Sequence, residues 1–346
     1  MSSYILLSKN DYFEDLISEV QKLKKGDSLY LMTMAIDSSS NLVSKLFSEI
    51  EKSLDRGSHI SILIDAYEYI ISNQKRGLGP LFYSNKLNGR LSGHFYTVLN
   101  NRIESLKQAG AKVEIINKPR HVISSPIRHR SHIKLAVLDS LTYVGGVNLV
   151  DDGHEDYMVK INNKDLSLDL QSVLDKVNIT KNVRQALNSN FRLNNKSDQI
   201  VIDQGRSNDS VILDQAIDII NRAQKDIIFT CQFFPDRVIL LPLKNAARRG
   251  VKTKIIFNHH SKHFFPLSFV QFLMLLTTKL FLPKNLELIR RSRSEKFLHA
   301  KILLTEQSII IGSHNMVGAG VKYGTAEIAL ISTDKNLIKK VRLIYL

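Results

Sequence analysis

The first recurring pattern of apolar and polar residues lies near the start of the chain. Apolar residues from Ser28 to Ile36 predict a strand. Apolar positions from Leu42 to Leu54 recur at helical spacing, and Gly57 is a typical helix-ending residue. The apolar run from Ile60 to Ile64 then predicts a second strand, so this region is predicted to be a strand–helix–strand unit.

The same order of elements recurs in the second part of the chain. The segment 227–229 predicts a strand, Asp236 is a candidate helix cap, and Gly250 follows the end of the predicted helix. The apolar segment 251–257 predicts the next strand. Repeated strand–helix–strand units indicate an α/β fold with a largely parallel sheet.

A longer motif also occurs twice, the second copy lying 167 residues after the first. The paired positions are His132 and His299, Lys134 and Lys301, Asp139 and Glu306, Gly145 and Gly312, and Asn148 and Asn315. Packing does not demand His and Lys beside predicted buried strands, so the repeat indicates a duplicated functional site. The organisation predicted is a first half at 1–165, a linker or connecting helix at 166–205 and a second half at 206–346, with an insertion near 67–100 in the first half.

The spacing of the motif places its reactive side chains together. Residues two apart on a strand project from the same face, so each His is predicted to point into a site with its Lys. Lys and Asn can hold the oxygens of a phosphate diester and stabilise charge in the transition state. One imidazole can attack phosphorus while the other exchanges a proton with the leaving or incoming oxygen. The lysines supply positive charge, so no metal and no cofactor are predicted.

Carboxylates downstream of each motif are candidates to orient the imidazoles. Asp156 follows His132 by 24 residues and Glu327 follows His299 by 28, with Glu155 as an alternative to Asp156. Four further positions are expected to support the site or its phosphate: Asp139, Gly146, Glu306 and Ser313. For Asp139 and Glu306 we expect structural contacts to backbone or basic side chains. The small residues at 145–146 and 312–313 are expected to let the backbone approach a ligand.

Composition limits the class of protein and its partners. The chain has 346 residues, a formal net charge of +15 and one cysteine, Cys231, so a disulfide framework and a Cys-rich zinc site are excluded. The positive charge favours a nucleic acid or an anionic membrane surface as partner. No secretory signal or confident membrane span is found in the sequence, which predicts a cytoplasmic, peripherally membrane-associated protein.

One segment of the second half is a candidate for membrane contact. Residues 264–278 are uncharged, and a helix through 267–282 would carry only a thin polar stripe. Such a helix can lie in a bilayer surface while lysines bind headgroups, although a buried core helix has the same pattern. The residues proposed for this contact are Lys262, Phe264, Phe265, Phe269, Phe272 and Lys279.

The duplicated His-x-Lys-x4-Asp motif followed by Gly-Gly/Ser-x-Asn resembles that of the phospholipase D superfamily. The resemblance extends over nearly the whole chain, and Glu306 departs from it conservatively by replacing the second Asp. It implies two pseudo-symmetric α/β/α sandwich halves packed face to face, with both motifs at one interface site. It also implies a covalent phosphohistidine, for which His132 is the preferred nucleophile.

Within this superfamily the chain is similar to the bacterial cardiolipin synthase branch. The similar segments are Tyr143–Leu149, Glu155–Val159, Gln232–Asp236 and Ala246–Val251. This resemblance implies phosphatidyl transfer from a phospholipid to a small alcohol or a second phospholipid, with hydrolysis as the related reaction. The alternative function is a nuclease acting on nucleic-acid phosphodiesters, and no obligatory protein partner is implied.

Overall fold

The computed structural model describes residues 4–37, 40–67, 97–118, 129–186, 190–193, 197–258 and 267–346. Its strands form two mixed sheets, one from each half of the chain. The strands of the first sheet are β1 (Tyr4–Ser8), β2 (Ser28–Thr33), β3 (His59–Asp65), β4 (Lys112–Ile116), β5 (Leu135–Leu138), β6 (Leu141–Gly145) and β7 (Tyr157–Asn162). Those of the second are β8 (Asn190–Arg192), β9 (Gln199–Gln204), β10 (Asp226–Cys231), β11 (Lys252–Phe257), β12 (Leu286–Arg290), β13 (Ile302–Thr305), β14 (Ile309–Gly312) and β15 (Ala326–Ser332).

The described helices lie on both faces of these sheets. In the first half they are α1 (Lys9–Lys22), α2 (Asn41–Asp55), α3 (Thr97–Gln108) and α4 (Lys164–Thr180). The remaining helices are α5 (Val183–Ala186), α6 (Val211–Arg222), α7 (Arg237–Arg248), α8 (Leu267–Leu280), α9 (Gly318–Tyr323) and α10 (Lys335–Tyr345). None of the helices in these described ranges has the length and apolar character needed to cross a membrane.

The two sheets repeat the same strand order. The first runs β1-β7-β6-β5-β2-β3-β4, and the second runs β8-β9-β15-β14-β13-β10-β11-β12, so that β9 corresponds to β1 and β8 is an additional edge strand. Helices α1 to α3 cover the outer face of the first sheet and α6 to α8 that of the second. Residues of both sheets, of α4 and of α10 share one central core. The predicted α/β fold of two pseudo-symmetric halves packed face to face is therefore confirmed.

The prediction of largely parallel sheets is wrong. Only β2-β3-β4 and β10-β11-β12 are parallel, and the other described pairs are antiparallel. Short connections explain two of the antiparallel pairs: two residues join β5 to β6 and three join β13 to β14. Connections of this length can only form hairpins, which are antiparallel.

The segment predicted as a linker, 166–205, contributes to both halves. It holds most of α4, which packs in the central core, and also β8 and β9, which pair into the second sheet. The apolar run of β9 is only Ile200 to Ile202, which is too short to stand out in a polar stretch. We therefore propose that the second half begins near residue 190 rather than 206. Most of the predicted insertion, 68–96, lies outside the described residues.

Candidate active site

The histidine of each motif contacts a carboxylate from the other half of the chain. His132, which directly precedes the segment leading into β5, has its Nδ1 3.0 Å from Oε2 of Glu327 on β15. His299 has its Nδ1 2.5 Å from Oδ2 of Asp156, just before β7. Both acids predicted from the sequence therefore lie in the site, but each one contacts the histidine of the other half. In each pair the Nε2 atom of the imidazole is left for a substrate.

Backbone contacts between the halves produce this exchange. The residue before each His forms an isolated bridge with the residue before the opposite acid, Ser131 with Ala326 and Leu298 with Glu155. The amide of His132 donates to the carbonyl of Ala326 at 2.8 Å, and that of His299 donates to the carbonyl of Glu155 at 2.8 Å. The side chains one residue further along then meet. Sequence spacing could not reveal this pairing because it depends on how the two sheets face each other.

The two lysines lie beneath the imidazoles and are almost fully buried. Lys134 and Lys301 are each 1% exposed, and the Nζ of each donates to the backbone carbonyl of the histidine two residues earlier. Burial, together with the charge of Lys301, holds the pKa of Lys134 well below its ordinary value. Burial likewise lowers the pKa of Lys301, against the opposing charge of Asp156. The charges of both lysines also lower the pKa of each histidine, which indicates that the two motifs converge on one region of positive charge.

Burial also sets the protonation of the imidazoles and carboxylates. It lowers the pKa of His132, and it lowers that of His299 to about 3, with the charge of Lys301 adding to the effect. Burial alone would raise the pKa of Glu327, but the charge and hydrogen bond of His132 prevail and hold it at about 2. The pKa of Asp156 is lowered although burial opposes this, because Lys301 and His299 prevail. At neutral pH the site thus combines neutral imidazoles with ionised carboxylates.

The small residues named from the sequence face the carboxylates rather than an open ligand space. A Cβ on Gly146 would lie 2.3 Å from Oδ1 of Asp156, so only glycine fits there. Ser313, at the corresponding place in the second half, donates its hydroxyl to Oε2 of Glu327 at 2.5 Å. A Cβ on Gly145 or Gly312 would lie 2.2 Å from a carbonyl oxygen of the neighbouring strand. Adjacent strand and carboxylate atoms thus account for the small residues at these positions, and their contact with a ligand stays a prediction.

The two asparagines of the motifs keep an unused acceptor. The Oδ1 atoms of Asn148 and Asn315 are buried and have no hydrogen-bond partner among the described residues. Buried polar atoms are normally satisfied, so these two amides are candidates to bind a group that enters the site.

The acids at the far ends of the motifs lie away from the imidazoles. Asp139 follows β5 and accepts from the hydroxyl of Ser28 at 2.8 Å, at the start of β2. Glu306 follows β13 and accepts from the amide of Gln224 at 2.9 Å, just before β10. Their contacts support the neighbouring strand, as expected for a structural role, and do not place either acid where it would bind phosphate.

The proposed membrane-contact residues are only partly described. Lys262, Phe264 and Phe265 lie outside the described residues, and Phe269 and Phe272 belong to α8 without described side chains. Lys279 is exposed near the end of that helix.

A third imidazole beside the site was missed by the sequence analysis. The ring of His154 is stacked against that of His299, with 5.7 Å between centroids, and also contacts Phe297 at 4.8 Å. Its Nδ1 is 2.9 Å from Oδ2 of Asp152, which pairs with the buried Lys9 of α1. The counterpart of His154 in the second half is Thr325, which precedes Ala326 as His154 precedes Glu155. The only feature of the sequence that could have drawn attention to His154 is its position two residues before Asp156.

Among the residues that the structure describes, no cluster of three or more His, Cys, Asp and Glu side chains could hold a metal ion.

Comparison with known proteins finds similarity to cardiolipin synthases. A model described as "Cardiolipin synthase, PLD-like domain" matches residues 216–344, which include the second motif. The chain is 24% identical to a cardiolipin synthase of Clostridium perfringens (strain 13 / Type A), over 89% of this chain and 62% of the relative. It is also 24% identical to a cardiolipin synthase of Oceanobacillus iheyensis, over 88% of this chain and 60% of the relative.

The chain thus spans about six tenths of the length of the curated relatives it matches. A solved structure of phosphatidylserine synthase from Haemophilus influenzae Rd KW20 is similar over 97% of this chain and 83% of that one, with a TM-score of 0.70. At 13% identity that likeness shows the fold alone.

Proposed function

We propose that the protein is a phosphatidyltransferase or phospholipase D that acts on phospholipid phosphodiesters through a covalent phosphohistidine. The observation that carries the proposal is the pair of crossed contacts, His132 with Glu327 and His299 with Asp156, above two buried lysines. Similarity to cardiolipin synthases supports a phospholipid as substrate.

The proposed first step forms a bond between His132 and phosphorus. Glu327 engages Nδ1 of His132, so the neutral imidazole attacks through Nε2. The bond from phosphorus to the leaving alcohol oxygen breaks, and His299 donates a proton to that oxygen. Entry of the anionic diester raises the low pKa of His299 and so favours the protonated form that this step requires.

The proposed second step regenerates the enzyme. The acceptor, an alcohol or water, loses its proton to His299 and attacks phosphorus, and the phosphorus–nitrogen bond to His132 breaks. Lys134, Lys301 and the side-chain NH2 groups of Asn148 and Asn315 would donate hydrogen bonds to the non-bridging oxygens throughout. A small alcohol or second phospholipid as acceptor gives transfer, and water gives hydrolysis.

The test uses phosphatidylglycerol vesicles with and without added glycerol, and analyses the lipid products. We expect turnover by the wild type and its loss in His132→Ala and in His299→Ala. A phosphohistidine peptide trapped by acid-free quenching should map to His132. Substantial turnover by either variant would contradict a shared two-histidine site, and a phosphopeptide containing His299 would reverse the assigned roles.

The alternative is a nuclease, which the formal net charge of +15 favours. It is tested by incubating the same preparation with labelled single-stranded DNA. Cleavage of DNA that is lost in His132→Ala, with phospholipids left intact, would replace the lipid proposal.

A further inference from the structure

Exposed apolar side chains concentrate on one side of the second half. Of the fourteen large apolar residues exposed in the described ranges, seven lie on α7, on α8 or directly after α8. They are Val238, Leu241, Leu273, Leu276, Leu280, Phe281 and Leu282, and we call the surface that they form the α7–α8 face. Leu280 is 70% and Phe281 73% exposed, so the face ends in two nearly uncovered side chains.

The two helices are anchored from their other sides. Ile239 and Leu243 of α7 and Leu275 of α8 are buried in the outer core of the second sheet. Leu273, Leu276 and Leu280 follow one another at helical spacing on the uncovered side of α8. Burial of these anchoring residues holds the two helices in place. Leu273, Leu276 and Leu280 remain exposed on the opposite side.

A groove of about 350 Å³ separates α7 from α8 on this face. Arg237, Leu241 and Lys244 line it from α7, and Met274, Thr278 and Phe281 line it from α8 and its end. Apolar walls with two cations at the edge suit an amphiphile that has a hydrocarbon part and an anionic headgroup.

The charge around the face has a single sign. Residues 237–286 contain nine Lys and Arg but no Asp or Glu. Asp236 just before α7 is already engaged, since it caps the helix through the amide of Val238 and accepts from Gly318 at 2.6 Å. A second copy of this face would bring the same positive charge against it, which disfavours a symmetric dimer here. A nucleic acid would pair with the cations but would not bury the exposed leucines and phenylalanine.

We propose that the α7–α8 face docks onto an anionic phospholipid bilayer. The purpose of this docking, delivery of a lipid substrate, rests on the proposed function. The apolar row enters the interface while Arg237, Lys244 and Lys279 contact the headgroups. The contact of Asp236 with Gly318, three residues after Asn315, places the first turn of α7 next to the motif of the second half. Docking would therefore bring the membrane close to the site that needs its lipid.

The test measures binding to sedimented vesicles of phosphatidylglycerol and phosphatidylcholine against vesicles of phosphatidylcholine alone. We expect preference for the anionic vesicles, weakened by salt. The double variants Leu280→Glu/Phe281→Glu and Lys244→Glu/Lys279→Glu should each lower vesicle partitioning by about tenfold or more. The control is Ile179→Glu, which adds a charge at an isoleucine that is 81% exposed on α4, outside the face, and should bind as the wild type does.

A second readout separates docking from chemistry. On dispersed short-chain phosphatidylglycerol below its micelle concentration the face variants should keep wild-type turnover, which also shows that they are folded, whereas turnover on vesicles should fall with binding. Unchanged vesicle binding by both face variants would overturn the proposal, and so would equal binding to both vesicle types. A dimer that the face variants dissociate, without vesicle binding, would assign the face to a second copy instead. If the wild type binds vesicles but does not turn over the short-chain lipid, the proposed function is refuted while the docking proposal is supported.

Discussion

His132 and Glu327 are 195 residues apart in the chain, and their side chains meet at 3.0 Å across the boundary between the halves. His299 and Asp156 make the reciprocal contact. Each imidazole is thus held by a carboxylate that its own half does not supply. Neither half contains a complete histidine–acid pair, so the site requires both halves.

The crossed pairing predicts which residues are energetically coupled. In urea unfolding, a cycle of His132→Ala with Glu327→Gln should give a coupling of about 0.5–3 kcal/mol, because the two side chains are in contact. A matched cycle of His132→Ala with Asp156→Asn, from the same half, should give a smaller coupling, because these two side chains interact through Lys301 and not by a direct hydrogen bond. The opposite ranking would mean that each acid serves the histidine of its own half.

The two carboxylates also predict unequal effects at Gly146 and Ser313. Gly146→Ala would force a methyl group to within 2.3 Å of Asp156, so that carboxylate must move away from His299. Ser313→Ala leaves space and removes one hydrogen bond to Glu327, which costs about 1–3 kcal/mol.

We therefore expect turnover to fall at least tenfold further in Gly146→Ala than in Ser313→Ala. Turnover with phosphatidylglycerol and thermal unfolding of both variants would check this. Equal loss in the two variants would show that Asp156 tolerates displacement.

Much of the fold follows from the sequence because its signals are local. The strand–helix–strand units around β2 and β10 were predicted from apolar spacing and helix-ending glycines, and the repeated motif predicted two related halves. Strand β9 was missed because its apolar run is short, and its place is fixed by pairing with β15. Antiparallel pairing of β5, β6 and β7 depends on connection lengths that the apolar pattern does not weigh.

The candidate site divides in the same way. His132, Lys134 and their counterparts were found because the duplication marks them, whatever their surroundings. The exchange of Asp156 and Glu327 between halves was not predictable, since it arises from contacts between the two sheets. His154 has no counterpart of its type in the second half, so the repeat could not reveal it.

The low pKa of His299 predicts how stability depends on pH. In the folded protein burial keeps this imidazole neutral down to a pKa of about 3, whereas in the unfolded chain it binds a proton near pH 6.5. Between these values the unfolded state binds more protons, so the free energy of unfolding should increase as pH rises and be lost on acidification. One such group contributes a slope of at most about 1.4 kcal/mol per pH unit.

Urea unfolding of the wild type and of His299→Gln between pH 4 and pH 7 measures this slope. We expect it to be smaller in the variant, because glutamine does not titrate. His59→Gln is the matched control, since His59 is exposed at the start of β3, and it should keep the wild-type slope. Equal slopes in the wild type and His299→Gln would show that His299 titrates normally in the folded protein.

The stacking of His154 on His299 predicts that His154 positions His299 through its aromatic surface rather than through its ring nitrogens. Asp156 contacts His299 through one ring nitrogen, while the ring of His154 stacks on that of His299 and also contacts Phe297. Loss of the ring in His154→Ala should lower kcat up to about tenfold by loosening His299, with little change in KM. His154→Phe retains an aromatic surface and should recover most of the wild-type kcat, whereas His154→Gln, which retains hydrogen bonding alone, should not. If the glutamine variant is active and the phenylalanine variant is not, His154 acts through its ring nitrogens. Its contact with Asp152, rather than the stacking, would then explain its effect on the site.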